Sequence, residues 1–180
     1  MGTGIRAIVS LSVLYIFCFG CNQRTNKNTP EEETSYYADI FYEKDVSPWN
    51  YTSCWFMGVD HFLTQKESLR LLRTEDRVFL DSLWNAIHSG RPVGQNGLDA
   101  HVVVLMHSDS QTDTLVLSEF PHFGYEFNTT VFQNDDVYCV VVRYILNNDT
   151  AFKGDILSTL DLIPDDYRDS LYRRLFEKTD

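Results

Sequence analysis

An apolar run from Ala7 to Phe19, preceded by one basic residue, Arg6, limits which part of this chain can contribute to a fold. The run is about 13 residues long, whereas a helix that crosses a bilayer needs roughly 20. A short basic start followed by a short apolar core is the layout of a secretory signal peptide. The stretch from Asn22 to Ser35 holds Asn, Gln, Arg, Thr, Lys, Pro, Glu and Ser, and no large apolar residue. Such a segment buries too little surface to offset its ordering entropy. The core must therefore come from residues 36–180. The expected organisation is a signal over 1–20, a tether over 21–35 and one α+β domain over 36–180.

The end of the apolar run is Gly20-Cys21-Asn22. A small residue directly before Cys resembles the lipobox of bacterial lipoproteins. That pattern usually has Leu three residues before the Cys; here Cys18 stands there, and Phe19 occupies a position where a small residue is commoner. A relaxed box of this kind resembles those of small lipoproteins of unknown function from the Bacteroides group. The resemblance implies that Cys21 carries acyl chains such as palmitate, and that the protein is lipid-anchored in the cell envelope, at the outer membrane. Asn22, rather than Asp, is compatible with that delivery. Each buried methylene contributes roughly 0.8 kcal/mol, so several chains give stable anchoring. The tether of about 14 residues spans roughly 45 Å when extended, enough to hold a domain clear of lipid headgroups.

Charge narrows the partners. Lys and Arg total 15 against 26 Asp and Glu, a net charge of -11. That balance argues against nucleic acid, whose binding needs basic groups to displace counterions, and against a polybasic membrane-surface protein. Removing the signal removes Arg6 and makes the chain one unit more negative. With 43% hydrophobic and 14% aromatic residues, the remaining length suffices for one real core.

Patterning predicts a small antiparallel sheet with helices packed on it. Tyr36–Tyr42 reads as a strand or a short helix, and Thr52–Val59 as a buried strand. The clearest helix spans Thr74–His88, with Thr74 as N-cap and Val78, Phe79, Leu83, Ala86 and Ile87 on its apolar face. Gly90 and Pro92 end it. Ala100–His107 and Asp113–Glu119 form a hairpin around a polar turn, and Tyr125–Phe132 adds a third strand. Val137–Leu146 carries both strand-like content and helix punctuation. Asp135 and Asp136 as caps and Asn147-Asn148 as a stop weigh towards helix. A last helix covers Asp161–Phe176, with Pro164 near its first turn.

Chemistry-bearing motifs are few. His101 and His107 share a strand face but stand about 20 Å apart by strand rise, too far for one metal ion. No metal, nucleotide or calcium motif is present, and no cofactor is expected. There is no nucleophile-elbow serine. Cys54 and Cys139 are a candidate disulfide, which an exported compartment permits and which would add about 4 kcal/mol in the entropic model. Both lie in apolar stretches, where Cys also serves as a small buried hydrophobe. Asp149-Thr150-Ala151 resembles the Asp-Ser/Thr-apolar acceptor of O-glycosylation in the Bacteroides group, with Thr150 as the candidate. Two aromatic turns, Trp49, Tyr51 and Trp55 in one and Phe123 in the other, are candidate platforms for a protein or glycan partner if exposed, and core if buried. The expected role is a non-enzymatic, lipid-anchored binding module. The alternatives are an envelope enzyme without a recognisable motif, and an inhibitor- or immunity-type lipoprotein.

Overall fold

A computed structural model describes residues 36–43, 58–65, 67–94, 98–118, 121–152, 156–157, 160–161 and 163–177. The expected signal, Cys21 and the tether lie outside them, as do Cys54 and the aromatic turn of Trp49, Tyr51 and Trp55. Among the described residues seven strands form one antiparallel sheet: β1 (Tyr37–Glu43), β2 (Leu69–Thr74), β3 (Arg91–Gly94), β4 (Val102–His107), β5 (Thr112–Leu117), β6 (Tyr125–Phe127) and β7 (Thr130–Gln133). Their order across the sheet is β2-β1-β4-β5-β6-β7-β3. The α-helices described from end to end are α1 (Val59–Thr64), α2 (Arg77–His88), α3 (Asp135–Asn148) and α4 (Asp165–Phe176). The fold is α+β, as the patterning predicts.

Alternation along the strands assigns the two faces. Ala38, Ile40 and Tyr42 of β1, Val102, Val104 and Met106 of β4 and Leu115 and Leu117 of β5 pack under the helices. They meet Leu80, Leu83 and Ile87 of α2, Val141 and Ile145 of α3 and Leu171 and Leu175 of α4. The opposite face carries a smaller cluster in which Phe62 of α1 packs on Leu69, Val103 and Val116. Among the described residues no helix is long and apolar enough to cross a membrane.

Several boundaries differ from the expectation, each for a local reason. Tyr37–Glu43 is a strand because it pairs on both sides, with β2 and with β4. The α2 cap is Asp76, not Thr74: its carboxylate accepts the Val78 and Phe79 amides at 3.0 and 3.2 Å. Thr74 ends β2, and its hydroxyl meets Tyr144 Oη at 2.5 Å. Val78 is 77% exposed rather than on the buried stripe, which runs through Phe79, Leu80, Leu83, Ala86 and Ile87. Tyr125–Phe132 is not one strand but most of a hairpin, β6 and β7, turning at Asn128-Thr129. Val137–Leu146 is helical, but Asn134 caps it while Asp135 and Asp136 sit in the first turn. The last helix starts at Asp165 rather than Asp161. Of the expected strand Thr52–Val59, only Gly58 and Val59 are described, and Val59 opens α1.

One glycine sets how closely α2 meets the sheet. Tyr125 is buried and donates its hydroxyl to the Ile87 carbonyl at 2.5 Å. A Cβ on Gly90 would stand 1.9 Å from that hydroxyl oxygen. Only glycine lets the chain leave α2 over this ring.

Candidate functional site

Helices α2 and α3 lie side by side on the sheet and are pinned together at both ends. At one end Asn134 donates to the Ala86 carbonyl and to Ser89 Oγ, at 2.9 Å each, while its own amide oxygen caps α3. At the other end the Phe79 and Tyr144 rings stack, with centroids 4.0 Å apart at 25°. Between the pins α2 presents short side chains, Ser82 and Ala86, towards Cys139, Val140 and Arg143 of α3. Short side chains on one helix opposite longer ones on the other leave a groove of about 850 Å³. That size lies within the usual range for small-molecule sites, about 300–1,000 Å³.

The groove is lined by apolar and polar side chains together. Phe79, Ala86, Val140 and Tyr144 supply the apolar surface, with exposed Val78 at the edge. Asp76, Asn85, Asp136, Asn147 and Arg174 line it as well. Arg174 pairs with Asp136 and approaches Asp135 to 4.0 Å. Arg143 differs: it is half-buried and makes neither a hydrogen bond nor an ion pair among the described residues. Cys139 lies in the wall as a buried thiol, and burial pushes its pKa up to about 11, against the opposing pull of Arg174.

A second polar group occupies the far face of the sheet. Asp39 stands opposite Arg73 in the β1–β2 ladder, and Tyr37 opposite His107 in the β1–β4 ladder. The Asp39 carboxylate accepts two Arg73 N–H groups at 2.6 and 2.7 Å. His107 Nε2 lies 3.5 Å from Asp39 Oδ2, and its Nδ1 lies 3.0 Å from Thr112 Oγ1. The imidazole stacks on Tyr37 at 4.5 Å, and the Arg73 guanidinium covers the same phenol ring at 4.9 Å. Hydrogen bonding from Arg73 holds the Asp39 carboxyl below its usual range against the opposing effect of burial, with help from the charges of Arg73 and His107. His107 Nε2 is buried and has no hydrogen-bond partner at normal length.

The residues singled out from sequence scatter. His101 stands apart from His107, between Glu43, 3.2 Å from Nδ1, and Asp99, 3.6 Å from Nε2. Among the described residues no group of three His, Cys, Asp or Glu side chains is placed to hold a metal ion. Phe123 is 53% exposed and packs on His122, whereas its neighbour Tyr125 is core. Thr150 is exposed directly after α3, next to Asp149, which is tied to Tyr42 at 2.8 Å and Arg70 at 2.6 Å. The groove residues Asn85 and Arg143 carry no motif. Arg143 does leave a trace, as the single cation in Val140-Val141-Val142-Arg143-Tyr144-Ile145-Leu146. No protein-family model, no curated protein and no solved structure matches this chain.

Proposed function

We propose that this protein is a lipid-anchored component of the cell envelope, held through Cys21 and the tether over 21–35, and that it works by binding in the groove between α2 and α3. The observation that carries the binding role is the makeup of that groove: apolar surface with the Phe79–Tyr144 stack, together with carboxamides, hydroxyls, guanidinium groups and two carboxylates, Asp76 and Asp136, the first engaged by the Val78 and Phe79 amides and the second by Arg174. An apolar cleft with a small number of placed polar groups is the usual form of a recognition site. Asn, Ser and Arg are groups that orient a bound molecule. The polar lining comes from the exposed faces of helices whose other sides are locked in the core, so the site is formed before anything binds.

Two measurements test the two halves of this reading. Labelled palmitate should enter the wild-type chain and not Cys21→Ala; equal labelling overturns the anchor. For the groove, a photo-crosslinking side chain is placed at Ser82 and, as a comparison on the other face of the sheet, at Leu71, which is 55% exposed. After irradiation in cells, mass spectrometry of the purified protein should find a discrete adduct at position 82 that Ala86→Trp abolishes. An adduct confined to position 71 would move the binding surface to the sheet.

The line Asp39–His107–Thr112 favours a second reading, an envelope enzyme using acid–base chemistry, since a His between a carboxylate and a hydroxyl is the arrangement such chemistry uses. It is the weaker reading because both Asp39 oxygens are already taken by Arg73.

A further inference from the structure

Arg143 is the feature of the groove that its fold does not use. A guanidinium that is half-buried gives up part of its hydration, and this one recovers none of it from a carboxylate or a carbonyl among the described residues. The omission is selective. Carboxylates exceed basic residues by 26 to 15, and the nearby cations are paired: Arg174 with Asp136, Arg168 with Asp165, Arg70 with Asp149. Arg143 instead lines the groove beside the apolar surface of Phe79, Val140 and Tyr144. Asn85 and Asn147, whose amides can donate to an oxygen, line the same groove.

A cation beside apolar surface selects a complementary molecule. Guanidinium takes carboxylate through two parallel N–H bonds, and such charge-assisted bonds are roughly twice as strong as neutral ones. The volume of about 850 Å³ suits a molecule of drug-like size rather than a folded partner. We propose that the α2–α3 groove binds a small amphiphilic carboxylate, with Arg143 holding the carboxylate and the Phe79–Tyr144 side of the groove holding the apolar body. This rests on the groove being the binding surface. It adds the ligand class and the residue that selects it. An acyl-chain acid and an aromatic acid share this chemistry, and the test separates them.

The test uses the full chain and four probes followed by calorimetry: sodium decanoate, sodium hydrocinnamate, and their neutral amides, decanamide and hydrocinnamide. At least one acid should bind saturably, and its amide should bind at least about tenfold more weakly, because the charge-assisted bond is lost. Decanoate ahead of hydrocinnamate assigns an acyl-chain ligand; the reverse assigns an aromatic one. Arg143→Gln should weaken the acid by roughly ten- to a hundredfold and leave the amide unchanged, while Arg143→Lys retains part of the preference. Binding of acid and amide with equal strength overturns the proposal without any variant, so a poorly folding Arg143→Gln does not protect it. No acid binding, alongside a groove adduct at position 82, overturns the carboxylate and leaves the binding role intact. Loss of both removes the groove itself.

Discussion

Asp39 and Arg73 face each other across the β1–β2 ladder, and the carboxylate accepts the guanidinium in a fork of 2.6 and 2.7 Å. Asp39 is almost fully buried, whereas the Arg73 side chain is 60% exposed. Replacing Asp39 by Asn keeps the shape and removes the charge. We expect a loss of about 1–2 kcal/mol on urea unfolding, held to that size by the exposure of the partner. No measurable loss would mean that the pair is a surface ornament.

The same carboxylate makes stability depend on pH. The folded-state pKa values of Asp39 and Asp149 both lie below the ordinary value: in Asp39 the Arg73 hydrogen bonds lead, while in Asp149 burial pushes upwards and Arg70, Tyr42 and the Ala151 amide outweigh it. A lowered folded pKa means that the unfolded chain binds the proton first. The contribution is therefore whole above the unfolded carboxyl value, near about 4, and is lost as pH falls through the folded value. Unfolding free energy should drop between about pH 5 and pH 3, and drop less in Asp39→Asn. A flat profile across that window contradicts the assignment.

Thr129 stands in the left-handed region at φ 71, next to Asn128 at φ 46, in the two-residue turn between β6 and β7. Both central residues of such a turn need positive φ, which Asn tolerates and a β-branched residue does not. Thr129→Gly should stabilise the protein by about 1 kcal/mol and raise Tm by roughly 3 °C. Gly90→Ala should do the opposite, because its Cβ meets the Tyr125 hydroxyl at 1.9 Å; a loss of about 1–3 kcal/mol is expected. Thermal melts of the two variants check both signs.

Cys139 should be chemically quiet. With its pKa pushed up to about 11 by burial, little thiolate is present at pH 8, and alkylation in the native state should be about a hundredfold slower than in urea. Mass spectrometry of alkylated protein reads this directly. Alkylation in urea only after reduction would instead identify a bridge, with Cys54 the candidate partner.

The elements legible in the sequence are those with strong periodicity or strong punctuation. Phe79, Leu83, Ala86 and Ile87 mark α2, and the β4–β5 hairpin follows from two strand-like runs rich in Val and Leu around the polar Ser108–Gln111. What escapes is set by tertiary pairing. β2 reads as Leu-Arg-Leu-Leu-Arg-Thr, whose arginines point to opposite faces and find carboxylates far away in sequence, Asp39 and Asp149. Nothing local predicts those partners. The groove escapes for the same reason: Ser82 and Asn85 look like an ordinary outer face of α2 until α3 lies beside them. Aromatic clustering in the sequence is only half informative, since Tyr125 and Phe123 are two residues apart and one is core while the other is exposed.

Among the described residues β1 is the first strand of the sheet, yet it is not an edge: β2 and β4 flank it, each over six paired positions. Any tension arriving along the chain before Tyr36 is delivered to a strand stitched on both sides. It cannot be peeled off like a border strand; two ladders must fail together, and with them the packing of Ala38, Ile40 and Tyr42 under the helices. The proposed anchor at Cys21 would thus pull on a strand that is paired on both sides.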